Sequence, residues 1–154
     1  MDILIGPGFL GTHAPFLSDL SLLLILVSIV LFTIGWQLRI HGHPKAHCPI
    51  QAGAAVVNIL AVAAVMIPSF IIHILPGIPA KLGTGDYAFT TVHAVIGAAA
   101  TLLGVFVVLR AYNLVPPRLR FKNYKSFMRA SYLLYVIAAL LGMIEYLLVY
   151  VLGI

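Results

Sequence analysis

The sequence predicts an all-α integral membrane protein with four transmembrane helices in an up-down bundle, and three observations support this class. Of 154 residues, 62% are hydrophobic and only 8% are charged, whereas about 25% of the residues of a soluble domain are charged. The mean hydropathy is +1.12. Four apolar runs each exceed the roughly 20 residues that a helix needs to cross a bilayer core. They cover about 17–38, 50–75, 89–112 and 130–152, so we predict one transmembrane domain over residues 1–154.

The segments between these runs are predicted to be loops. They cover 39–49, 76–88 and 113–129, and each contains the prolines or glycines that break regular structure. The stretch before the first run is apolar but also broken by glycine and proline. We predict that it lies along the outer surface until Ser18 or Asp19 caps the first span.

The distribution of basic residues predicts the orientation. Positive charge accumulates on cytoplasmic loops, and of the nine Lys and Arg residues only Lys81 lies in the second loop. The other eight lie in or beside the first and third loops: Arg39, Lys45, Arg110, Arg118, Arg120, Lys122, Lys125 and Arg129. We therefore predict a multi-pass protein of the cell inner (plasma) membrane with both termini outside. Contact with anionic membrane lipid explains the basic loops without a nucleic-acid partner.

Three ionisable residues fall within the predicted spans, where such side chains are costly and usually functional. They are His73, His93 and Glu145, and a rise of 1.5 Å per residue places all three in the outer half of the membrane.

A polar stripe is predicted on the second span. At 100° per residue its polar side chains share one face, which we expect to be turned towards protein. The members are His47, Gln51, Asn58, Ser69 and His73.

Small residues accompany the other two ionisable groups. His93 shares a face with Gly97 and Gly104, and Glu145 shares one with Gly142. Small residues let helices pack closely in lipid, and they also leave room for a flat cofactor.

Two cofactors fit these positions. His73 and His93 can ligate a haem b iron axially, with Pro68 bending the second helix to bring the two imidazoles to one depth. Alternatively, a quinol is hydrogen-bonded by His93 while Glu145 relays protons. The structural alternatives are a histidine at the headgroup level for His73 and a buried hydrogen-bonded pair of His93 with Glu145 that fixes helix register.

The first loop contains the densest group of metal-ligand types, namely His41, His43, His47 and Cys48. Nitrogen and sulfur donors of this kind bind copper or zinc. The alternative is a basic loop that is simply solvated.

Several of these features resemble the small membrane proteins of the YozB/CtaM type, which are implicated in the maturation of haem–copper oxidases. The resemblance rests on His47, His73 and His93, on N-Y-K-S-F-M-R-A-S-Y-L-L-Y-V at 123–136, and on G-M-I-E-Y-L-L-V-Y at 142–150. The opening G-F-L-G-T-H-A is also similar. These relatives carry a further histidine where this chain has Asn123 and Tyr124, so at most one bis-histidine haem is implied.

The resemblance implies a respiratory or photosynthetic electron-transfer setting. We therefore expect an accessory subunit or assembly factor of such a complex, with larger membrane subunits and lipid as partners. The rival is a structural helical subunit without a cofactor. The chain has no nucleophile–base pairing, phosphate-binding glycine loop or paired carboxylates, which argues against a hydrolase or a nucleic-acid enzyme.

Overall fold

Four long helices make up the fold. A computed structural model describes residues 6–120 and 123–153, and the helices are α1 (Phe16–Ile40), α2 (Pro44–Gly77), α3 (Gly85–Ala111) and α4 (Tyr124–Leu152). Each is long and apolar enough to cross a membrane. The predicted all-α class with four candidate spans is confirmed.

The helices form an up-down bundle. Short connections make successive helices antiparallel, and α1 packs on α2, α2 on α3, α3 on α4 and α4 on α1. Contacts are most extensive within the α1/α2 and α3/α4 pairs, so the fold consists of two helical hairpins laid side by side. We call the end where α1 and α3 finish and α2 and α4 begin the basic end, because the basic loops lie there.

Two helices begin about one and a half turns before the predicted spans. α2 begins at Pro44 instead of residue 50, and α4 begins at Tyr124 instead of residue 130. Proline fits the first turn of a helix, where its missing N–H has no partner to lose. The helix also continues through Pro49, because the carbonyl of Lys45 that loses its partner lies in an exposed turn.

α1 begins earlier than predicted, and neither Ser18 nor Asp19 caps it. The helix begins at Phe16 after an extended Pro15, and no side chain caps it. Asp19 lies inside the first turn and is fully buried, where its carboxylate accepts the Leu10 N–H at 2.7 Å. It therefore holds the preceding loop against the bundle and does not cap the helix.

The loop before α1 folds back over the end of the bundle opposite the basic end. Gly8 donates its N–H to the Ala14 carbonyl at 2.9 Å, and His13 donates to the carbonyl of Tyr150 at 3.3 Å. The beginning and the end of the described chain therefore meet at the same end of the bundle.

The packing is that of a helical bundle surrounded by lipid. The buried positions are rich in small residues, including Ala54, Ala61, Ala100 and Ala139, while many Leu, Ile and Val side chains are exposed. Small residues allow close helix approach, and large apolar side chains suit acyl chains.

Candidate functional site

Polar side chains meet between α3 and α4 in the half of the bundle away from the basic end. Thr90 Oγ1 donates a short hydrogen bond to Glu145 Oε1. A Cβ on Gly142 would lie only 2.9 Å from His93 Cε1, so the glycine provides the space that the imidazole occupies. Residues three apart share a helix face, and these four residues therefore form one patch, here called the α3/α4 site.

His93 has an unsatisfied ring nitrogen. Its Nδ1 is buried and finds no hydrogen-bond partner among the residues that the structure describes. A buried polar atom without a partner costs roughly 1–3 kcal/mol, and such atoms are rare in folded proteins. The Nδ1 position is therefore suited to a ligand that offers the missing hydrogen bond.

Glu145 lies against α3, where its carboxylate meets Thr90. It is half-buried, and within the described part of the chain its carboxylate has only the Thr90 hydroxyl as a hydrogen-bond partner. An ionised carboxylate has about four lone-pair sites. It can therefore accept further hydrogen bonds from a molecule in the α3/α4 site.

His73 does not share the surroundings of His93. It is exposed and lies in a π-helical stretch, Phe70–Ile74, which follows an earlier one at Val62–Met66. A π-helix closes its hydrogen bonds five residues apart instead of four, so each stretch shifts the later residues around the helix axis. The predicted polar stripe consequently holds for buried His47 and Asn58 but not for His73.

The histidines of the first loop are turned to different partners. The His41 Nδ1 lies 2.8 Å from the Gln37 carbonyl, and the His47 Nδ1 lies 2.7 Å from the Gly35 carbonyl. His43 and Cys48 are exposed. No three His, Cys, Asp or Glu side chains are grouped to hold a metal ion in the described ranges 6–120 and 123–153. A copper or zinc site at this loop stays a prediction.

A second interior feature is a cavity of about 570 Å³ at the basic end, walled by all four helices. Its lining includes His47, Gln51 and Asn58 from α2 and Thr101 and Gly104 from α3. This cavity is not predicted from the sequence. The polar stripe on α2 and the small-residue face on α3 are both visible in the sequence, but only the folded bundle brings them opposite each other.

The fold and these sites define a small four-helix membrane bundle with two polar regions between its helices. No protein-family model, curated protein or solved structure matches the chain. The resemblance to the YozB/CtaM type therefore rests on the quoted motifs.

Proposed function

We propose that the protein is a small accessory subunit or assembly factor of a membrane electron-transfer complex, and that it binds a quinol at the α3/α4 site. The observation that carries the proposal is the pairing of the unsatisfied, buried His93 Nδ1 with a carboxylate, Glu145, that has spare acceptor capacity on the facing helix. The motifs shared with the YozB/CtaM type support the respiratory setting.

The chemistry of a quinol suits both groups. Its ring oxygens can each donate or accept a hydrogen bond, and the His93 Nδ1 can do either, depending on its tautomer. Glu145 accepts from the second hydroxyl. When the quinol passes two electrons to a redox centre of the partner complex it loses two protons, one to the Glu145 carboxylate and one to the His93 Nδ1 in its acceptor tautomer. Carboxylates and histidines within a membrane commonly serve such proton relays.

The distribution of basic residues gives the position of the α3/α4 site in the membrane. With the basic end in the cytoplasm, as the positive-inside rule favours, the α3/α4 site lies in the outer half of the cell inner (plasma) membrane. The exposed apolar faces, including Val92 and Val95 of α3, contact lipid or the larger subunits of the complex. A quinol dissolved in the membrane approaches the site from the lipid, and contact with the buried His93 Nδ1 requires the side chains around it to move.

Haem b is the other cofactor that the sequence favours, and a structural role is the main rival. The geometry supports haem less well, because exposed His73 would have to reach the iron opposite His93. The hydrogen bond between Thr90 and Glu145 fits the structural rival, since it also fixes α3 against α4.

Purification from the native membrane separates these three possibilities. We expect solvent extraction of the wild-type protein to release a quinone at a substoichiometric to equimolar level, and His93→Ala to lose it. His41→Ala is the matched control, because His41 is exposed at the basic end and should retain the quinone.

The absorption spectrum gives the second readout. A Soret band in the wild-type protein that disappears in His93→Ala would show that the bound cofactor is haem and not quinol. A colourless protein without extractable quinone, and with His93→Ala equal to wild type in assembly of the complex, would leave the structural role and overturn the proposal.

A further inference from the structure

The cavity at the basic end is separate from the α3/α4 site and combines a charged mouth with an apolar interior. We propose that it binds one anionic phospholipid, with the phosphate at the mouth and part of an acyl chain between the helices. The cavity holds about 570 Å³, which lies within the usual range for small-molecule pockets. Its lining runs from Pro44 to Ile59 on α2, a depth of roughly 20 Å at 1.5 Å per residue.

The mouth has a single sign of charge. Arg39 at the end of α1 and Lys125 and Arg129 in the first turns of α4 all line the cavity and are exposed. Lys125 and Arg129 are four residues apart, so they lie on the same face of α4. The part of the chain that the structure describes contributes no carboxylate to the lining. The mouth thus favours an anionic group.

The three acidic residues in the described ranges 6–120 and 123–153 lie away from this mouth. Asp19 is in the first turn of α1, Asp86 is in the first turn of α3, and Glu145 is near the end of α4. Helix order places all three towards the opposite end of the bundle. Basic pockets between transmembrane helices on the cytoplasmic side are the usual sites for anionic lipid headgroups, and this end is the one predicted to be cytoplasmic.

Two polar side chains deeper in the cavity are held by the protein. The Gln51 Nε2 donates to the Phe32 carbonyl at 3.1 Å, and the Asn58 Nδ2 donates to Thr101 Oγ1 at 3.2 Å. Most of the surface left for a ligand is apolar, from side chains such as Ile59 and Val105. An acyl chain matches that surface, whereas a small soluble anion would leave it empty.

An aromatic pair forms part of the cavity wall between α1 and α4 and includes a fluorescent side chain. Trp36 of α1 packs edge-on against Tyr132 of α4 with ring centroids 4.7 Å apart, and both rings line the cavity. Trp36 is the only tryptophan of the chain. Trp36 is also 37% exposed, so lipid around the bundle quenches it as well, and the difference in quenching between two brominated lipids reports which of them lies at the cavity.

The experiment is tryptophan quenching in vesicles of phosphatidylcholine mixed with phosphatidylglycerol, with bromine on the acyl chains of one lipid at a time. We expect brominated phosphatidylglycerol to quench Trp36 preferentially. Arg39→Gln and Arg129→Gln should each lower that preference by about fivefold, the scale expected for one basic residue near an anionic lipid. Arg118→Gln is the matched control, because it removes a charge from the same basic end but lies outside the lining.

A variant of the interior tests the acyl chain. A Cβ on Gly104 would meet only Ser131 Oγ at 3.5 Å, so Gly104→Leu can be accommodated and fills the cavity. We expect it to reduce the preference for brominated phosphatidylglycerol while the fold, measured by circular dichroism, is retained.

Three outcomes would overturn the proposal. They are equal quenching by the two lipids, an equal loss in Arg118→Gln, and loss of the preference when inorganic phosphate replaces chloride at the same ionic strength. The last result would identify a site for a free anion and not for a lipid.

Discussion

The Tyr146 hydroxyl donates a hydrogen bond of 2.5 Å to Asp19 Oδ1 and thereby joins the last helix to the first. Its oxygen also lies 2.7 Å from the Thr12 hydroxyl, and Asp19 accepts the Leu10 N–H as well. One buried carboxylate therefore connects α1, α4 and the loop before α1.

Removal of this hydroxyl should destabilise the bundle. In Tyr146→Phe the buried Asp19 carboxylate loses its side-chain hydrogen-bond partner, so we expect the free energy of unfolding to fall by about 1–3 kcal/mol. Unfolding by sodium dodecyl sulfate in mixed micelles, followed by circular dichroism, measures it. Tyr112→Phe is the control because Tyr112 is 49% exposed, and an equal effect of the two variants would contradict the prediction.

Gly142 and Gly97 should respond differently to the same added methyl group. Gly142→Ala places a Cβ about 2.9 Å from the His93 ring, whereas a Cβ on Gly97 meets nothing within 4 Å. We expect Gly142→Ala to cost about 1–3 kcal/mol through overpacking and Gly97→Ala to be neutral or slightly stabilising, because alanine favours helix. The same unfolding titration compares them, and equal tolerance would show that His93 does not lie against Gly142.

Glu145 should contribute a hydrogen-bond acceptor to quinol binding. Its carboxylate accepts the quinol hydroxyl, whereas Glu145→Gln keeps the shape but replaces one acceptor oxygen by an NH₂ donor. We therefore expect Glu145→Gln to bind quinol about tenfold more weakly, or roughly 1.4 kcal/mol. Anaerobic titration with a short-chain quinol provides the measurement. Thr90→Val retains the carboxylate and should lose less affinity; equal affinity of Glu145→Gln and the wild type would refute the role of Glu145.

The single cysteine tests the orientation. Cys48 is exposed at the basic end and is the only cysteine of the chain. A membrane-impermeant maleimide should label it in inverted membrane vesicles but not in intact spheroplasts. Lys81→Cys combined with Cys48→Ala places the thiol in the second loop and should give the reverse pattern. Labelling of Cys48 in spheroplasts would show that the basic end faces outward, opposite to the proposed topology.

Most of the fold was predictable because hydropathy and length identify helices that must satisfy their own backbone hydrogen bonds in lipid. The starts of α2 at Pro44 and of α4 at Tyr124 were not predictable, because the first turns of these helices are polar and hydropathy does not detect them. The burial of Asp19 was missed because nothing local predicts that a loop will fold back and donate to it.

The candidate site was predictable in part. The position of Glu145 against α3 followed from the small residues on its face. The exposure of His73 did not follow, because the 100° periodicity assumes an uninterrupted α-helix and α2 contains the π-helical stretches Val62–Met66 and Phe70–Ile74. The cavity required two helix faces to be combined in space.

The quinol site is tested most directly by anaerobic isothermal titration of the purified protein with a short-chain quinol. The wild-type protein should bind saturably, and His93→Ala should weaken binding by about tenfold or more, which corresponds to roughly 1.4 kcal/mol. His73→Ala should bind as the wild type does, because His73 lies exposed outside the α3/α4 site. Absence of saturable binding to the wild type, or an equal loss in both histidine variants, would contradict a quinol site at His93 and Glu145.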